Sequence, residues 1–476
     1  MNLSPRFQSR PWRRLALAAV FAATALAGTG ARAQATEDPP GRVGRVADVA
    51  GNVRTLDSEG SWVDVVRNEP FTTGDRITTD KSGRATLQVG STVIRVGADS
   101  DVTLTQLDDQ HMRLKFDHGQ IEVRVRSDDI PGELFVDTDE GAWVPHHPGQ
   151  YRFDRAATGQ LLAAQALSGD MLLEAPDSSL PLAAPQRAQV WREGARQVTH
   201  YKLAPAAKDA FGDAVLAADK QDDAQAAANG KAQVSPEMTG AADLARYGTW
   251  SMAANGTHLW TPARLPAGWQ PFQQGAWWWS VRWGWTWVDD QPWGFAPSHY
   301  GRWLQVKGRW AWTPGQWGTT RPVYAPAVVG WFGGPALAVD GAPATGWVAL
   351  APDELLFPGY AVSPKYWNAL NDASVGPAGR RAVAIAGHAR LVPTGALAYA
   401  NREVAGAASV VSASSLLPQV PVSQMPGVRG AALRKPAFVE ALGKATLQGP
   451  PPQPAGRGAL APGASVVPVP IVAVRR

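Results

Sequence analysis

The sequence predicts a mainly β protein. It reads as an N-terminal antiparallel β sandwich or roll, a helical linker, a Trp-rich β-hairpin repeat domain and a disordered C-terminal tail rich in Pro, Ala and Gly. Three observations predict this. Short apolar–polar alternations bounded by turn residues recur over 41–197, the period-2 pattern of half-buried strands. Sixteen of the 21 tryptophans fall between Trp250 and Trp347, at repeating intervals. Beyond residue 376 the chain turns to Ala, Gly, Val and Pro, a composition without a core-forming pattern.

The first 33 residues carry an address. Arg6, Arg10, Arg13 and Arg14 precede an apolar run from Leu15 to Gly28, and Ala31-Arg32-Ala33 follows. This order of charge, apolar stretch and small-x-small site predicts a signal peptide over 1–33, cut before Gln34, with Ala33-Gln34-Ala35 as a near-equal alternative. The apolar run is shorter than the ~20 residues that span a bilayer. No later run reaches that length, so the mature chain is expected to lack a transmembrane segment and to be periplasmic or secreted. Cysteine is absent, which excludes disulfides, thiol nucleophiles and thiolate zinc sites.

Charge is unevenly placed. The whole chain is +4, but eleven Lys and Arg against two Glu make 376–476 a basic tail of net +9. Such a tail on an acidic body suggests an anionic surface as partner, or a tail that lies on its own body. Nucleic acid is not expected outside the cytoplasm.

Within 41–197, Ala85 to Val89 alternates cleanly. Met112 to Phe116 and Ile121 to Val125 alternate on both sides of Asp117-His118-Gly119, predicting a hairpin with a Gly-containing loop. Its outer face, Arg113, Lys115, Glu122 and Arg124, reads as solvated. Turns are predicted at Asp57 to Gly60 and Asp80 to Gly83. The segment resembles the FecR-type periplasmic domain at Gly51, Trp62, Gly74-Asp75, Thr78-Thr79, Gly97, Gly119, Phe135, Thr138, Gly149-Gln150-Tyr151 and Gly169. That resemblance implies a β fold and a periplasmic location. Classical FecR-type proteins also carry a cytoplasmic anti-sigma segment and a membrane helix, neither of which this sequence displays.

Residues 204–242 are rich in Ala, Asp, Lys and Gln. A helix is predicted from Pro205 to Asn229-Gly230, serving as linker or strut. Over 243–375, Gly-x-Trp recurs at Gly248–Trp250, Gly275–Trp277 and Gly301–Trp303, each followed nine or ten residues on by Trp260, Trp287 and Trp312. This is a repeat of about one hairpin per unit. Asn255-Gly256 and Lys307-Gly308 are predicted turns, and a two-residue loop at the second places Trp303 opposite Trp312. From Trp277 to Trp287 the aromatic residues share one parity and Trp278 alone breaks it. The region resembles an uncharacterised Trp-rich family that follows FecR-like domains in exported proteobacterial proteins. The match runs through Val234 to Met238, Trp285 to Asp290, Pro292 to Pro297, His299 to Trp303, Arg321 to Pro326 and Gly346-Trp347. It departs near Ser414 to Val422, where a Phe-containing strand is expected.

No catalytic motif, cofactor fingerprint or metal-ligand spacing emerges. His146-His147 are adjacent, and neighbours on a strand face opposite ways. Asp289-Asp290 before Gln-Pro reads as a turn. His299 reads as a hydrogen-bonded residue without a nucleophile. The tryptophans either fill the core of a thin domain or stack on sugars. Burial is favoured, since sixteen exposed indoles invite aggregation. Trp278, Arg282, His299 and Tyr300 are the candidate ligand-binding residues. The expected function is a non-enzymatic exported binding or scaffold protein of the cell envelope. The alternatives are a glycan- or peptidoglycan-binding module using exposed Trp, and a FecR-like ligand-sensing component acting through a separate membrane partner.

Overall fold

Among the described residues, seventeen strands follow one another from Gly44 to Ala204 with no helix between them. The structure, a computed structural model, describes residues 38–56, 60–159, 161–228, 234–315, 321–372, 399–429, 445–447 and 450–451. The expected signal peptide, Trp317 and most basic residues of the tail lie outside the described residues. From Asp38 onward the chain makes one compact unit.

The seventeen strands share one hydrogen-bonded network. Pairing is antiparallel except where Leu134–Thr138 runs parallel to the start of Met112–Val125. That strand corrects the predicted hairpin: the chain does not reverse at Asp117-His118-Gly119 but continues for 14 residues. Its first half pairs with Asp101–Leu107, its second with Thr92–Val96 and Gly149–Arg155. Gly119 makes the bend. Its φ is +99°, and a Cβ there would lie 2.3 Å from Ser100 Cα, so only glycine lets the strand pass from one layer to the other. Inward-facing Leu87, Ile94, Leu114, Phe116, Ile121, Val123, Trp143, Tyr151 and Phe153 are buried together in the first core.

The predicted linker helix is Ala210–Ala228, followed by a short helix, Ala241–Tyr247. The longer helix is not a free strut. Val215 and Asp219 are buried, and Asp219 bonds Arg95 and Arg126 of the first β unit.

The Trp-rich region is β, as expected, and its repeats are hairpins. Gly248–Met252, His258–Pro262, Arg309–Thr313 and Arg302–Val306 form a four-stranded sheet in that order. Trp250 pairs with Trp260, Trp260 with Trp312, and Trp312 with Trp303, a single row of indoles across four strands. Gly275–Ser280 and Gly284–Asp289 form a second hairpin, with Trp277 opposite Trp287 and Trp279 opposite Trp285. Lys307-Gly308 is the predicted two-residue turn, both with positive φ. Asn255-Gly256 is not. Met252 pairs with His258 across a longer loop, in which Gly256 N donates to Ala253 O at 2.9 Å.

The tail expectation needs correction for 399–429. Ser409–Ser412 pairs with Ala342–Ala349 and with Gly427–Arg429 inside a five-stranded sheet. Val410, Val411, Leu416, Val422 and Met425 are buried in the Trp-rich core. All four residues of Ser409–Ser412 are buried. A strand covered on both faces shows no alternation, which hides it from a period-2 reading.

Candidate functional site

The glycine of each Gly-x-Trp has one job. A Cβ on Gly248 would lie 2.3 Å from the Trp260 ring, one on Gly275 2.7 Å from the Trp287 ring, and one on Gly301 2.7 Å from the Trp312 ring. The second tryptophan of each repeat therefore lies across the backbone where the first strand begins. Its indole N–H finds an acceptor there: Trp260 donates to Leu244 O at 2.7 Å, Trp287 to Asp289 Oδ2 at 2.8 Å, and Trp312 to Tyr300 O at 2.9 Å. Among the described tryptophans of Trp250–Trp347, only Trp250, Trp278 and Trp279 are half-buried; the others are buried. The repeat is thus a packing device. Edge-on ring pairs extend it, Trp260–Trp293 at 5.0 Å from a sheet to a turn and Trp277–Trp347 at 5.4 Å between sheets.

The four candidate residues do not converge. Trp278 is half-buried, opposite Thr286, and Arg282 is exposed at the tip of the same hairpin beside Val281. His299 and Tyr300 are buried, which removes them from any solvent-facing site. His299 Nδ1 lies 2.7 Å from Ala325 O, its ring stacks on Tyr324, and burial lowers its pKa to about 3, so it stays neutral. As the neutral tautomer it donates from Nδ1. Tyr300 accepts the Trp312 indole N–H on its backbone carbonyl. Asp289 turns the chain, accepting from Gln291 N at 2.8 Å; burial pushes its pKa up to about 7, while Asp290 is exposed. His146 and His147 lie beyond their strand, and both reach Asp170, so they do not face opposite ways.

Sequence reasoning missed two charged clusters. In the first, Arg45 is 2% exposed and joins the β unit to the Trp-rich unit. Its Nε donates to Gln88 Oε1 at 2.9 Å, Nη1 to Asn68 Oδ1 at 3.1 Å and Nη2 to Asp243, and the guanidinium lies 5.9 Å over Phe295. Asn68 Nδ2 then donates to the carbonyls of Asp289 and Gln291 at 2.9 and 2.7 Å. Nearby, Glu133 takes Arg42 at 3.0 Å and Arg321 at 2.9 Å. The bonds of this joint run between segments distant in sequence, which is why no local pattern announces it.

In the second, Glu122 sits in register between Arg95 and Arg152 on neighbouring strands. The predicted solvated face is corrected at Glu122 alone: Lys115 is exposed and Arg113 and Arg124 are half-buried. The helix Ala210–Ala228 covers Glu122, which is 1% exposed and receives no hydrogen bond on either oxygen. Arg95 lies 3.7 Å away but is drawn to Asp219 and Asp222 on the helix. Burial, reinforced by Asp219, pushes the Glu122 carboxyl up to about 8.

Residues 241–354 match the model of DUF6600, a family of unknown function. The match spans the three Gly-x-Trp hairpins and the Trp331–Trp347 pair. Two crystal structures of a "putative anti-sigma factor" from Parabacteroides distasonis ATCC 8503 are similar to part of the chain at 16% and 15% identity, each with a TM-score of 0.24. Each likeness covers 28% of this chain and 60% of the other, and at that score it carries no argument. No curated protein matches. No described helix is long and apolar enough to cross a membrane.

Proposed function

We propose that the chain is a non-enzymatic binding or scaffold protein exported to the cell envelope, with a FecR-type β unit carrying a DUF6600-type Trp-rich unit. The observation that carries this reading is the Arg45 joint. A buried guanidinium bonded to Gln88, Asn68 and Asp243 fixes the two units in one orientation, as a platform requires. The order of charge, apolar run and small residues in Met1 to Ala33 supports export. The turn glycines of the FecR-type pattern support the first unit: at Gly51, Gly119 and Gly149 an added Cβ would lie within 2.2–2.3 Å of a neighbouring atom.

All described tryptophans of the repeats except Trp278 belong to or pack against the core, so a glycan platform made of a broad Trp strip has little left to stand on. Ligand sensing through a separate membrane partner remains a form of the binding reading. Cell fractionation with mass spectrometry of the mature N-terminus tests the proposal. A chain beginning at Gln34 in the periplasmic or secreted fraction is expected. An intact Met1 in the cytoplasm contradicts it.

A further inference from the structure

One groove of the Trp-rich unit holds a segment of unusual chemistry. Its floor is Trp283, Trp285 and Trp331, and its rim is Phe357 and Gly359. Pro450 lies in it, and the free space left is about 20 Å³, room for little more than one water. Trp285 Nε1 donates to Pro451 O at 3.0 Å. Gly359 has no side chain where one would collide: an added Cβ would lie 2.1 Å from Pro450 Cγ.

The sequence at this point reads Pro450-Pro451-Pro452-Gln453-Pro454. Each proline fixes its own φ near −65° and pushes the residue before it toward extended ψ. Pro450 and Pro451 are both followed by proline, so their backbone is confined to polyproline II. That helix has no internal hydrogen bonds, and its carbonyls are free to accept. Aromatic grooves that read proline-rich segments use this combination: flat rings against pyrrolidine rings, and a fixed donor to a backbone carbonyl of a ligand that loses little entropy on binding. The groove here supplies the rings, the donor and a glycine for close approach.

We propose that this groove is a recognition site for polyproline II segments. The chain's own Pro450-Pro451 fills it in the isolated molecule, and a proline-rich segment of a partner protein takes its place. Tethering gives the internal segment a high effective concentration, so a free peptide competes poorly until that segment is removed. The inference does not depend on export or on the envelope reading, and its test is done on purified protein.

The probe is a fluorescently labelled decaproline peptide, with a Gly-Ser peptide of equal length as control. Decaproline should bind a chain ending at Gln448 at least tenfold more tightly than the full chain. Trp285→Phe in the shortened chain, which keeps an aromatic ring and removes the indole donor, should weaken binding at least fivefold. Gly359→Ala should also weaken it, because the added methyl occupies the place of the Pro450 ring. If the shortened chain loses the thermal transition of the full chain, the full-length double variant Pro450→Glu/Pro451→Glu replaces it with the same expectations. A folded chain with the groove vacated that binds decaproline no better than the Gly-Ser control overturns the proposal. So does binding that Trp285→Phe leaves unchanged.

Discussion

Trp303 and Trp312 face each other across the Lys307-Gly308 hairpin, and both indole N–H groups are satisfied by backbone carbonyls, Trp303 by Pro297 at 2.9 Å and Trp312 by Tyr300 at 2.9 Å. Removing the Trp303 side chain leaves a large cavity and an orphaned carbonyl. Trp303→Ala should cost about 3–5 kcal/mol, a large part of a typical stability of about 5–15 kcal/mol. Trp278→Ala, on the half-buried face of its hairpin, should cost under about 1.5 kcal/mol. Denaturant melts of the two variants check this, and equal losses would mean that both faces of the hairpin are core.

Arg45 binds the two units through Asp243, Asn68 and Gln88. Arg45→Ala strands these partners. Asp243 is a quarter exposed, so water softens the loss, and about 2–4 kcal/mol is expected. Calorimetry should show the single transition broadening or splitting as the joint weakens. A sharp single transition at the original temperature would show that the joint contributes nothing.

Glu122 gives a pH signature. Its pKa rises from 4.5 to about 8 on folding, so the folded state holds the proton more tightly than the unfolded chain. The stability this contributes is present below about pH 4.5 and is lost as pH rises toward 8. Glu122→Gln keeps the neutral shape at every pH. The variant should match the native chain near pH 4.5 and exceed it at pH 9 by on the order of 1–3 kcal/mol. A variant less stable than the native chain at pH 9 would mean that the charged carboxylate is needed by Arg95.

A chain ending at Val375 lacks the strand Ser409–Ser412 and buried Leu416, Val422 and Met425. Each buried apolar side chain is worth about 1.5–3 kcal/mol. That chain should lose its cooperative transition in the Trp-rich unit and expose the edge of Ala342–Ala349. Limited proteolysis checks it: a resistant Trp-rich fragment of unchanged melting temperature would show that 399–429 is dispensable.

Much of the fold was legible because its signals are local. The Gly-x-Trp spacing carries both the hairpin length and the crossing of ring over backbone, so Trp303 and Trp312 could be paired from sequence. Gly119 misled because a glycine in a polar triplet marks a turn and a bend equally well, and only the strands on either side decide. Arg45 and Glu122 were invisible for a different reason. Each lies on the polar parity of a strand and is buried by a segment more than ninety residues away, Asp243 for one and Asp219 for the other. The groove around Trp285 was half legible. The proline run falls in the tail predicted to be disordered, and nothing local says which aromatic surface it lies against.

The central claim is that most described tryptophans of the repeat form an interior. Acrylamide quenching of intrinsic fluorescence tests it most directly. The native chain should emit well to the blue of the guanidinium-unfolded chain, with acrylamide reaching only a small minority of the emission. Native emission at the unfolded wavelength, with most of it quenched, would contradict the account.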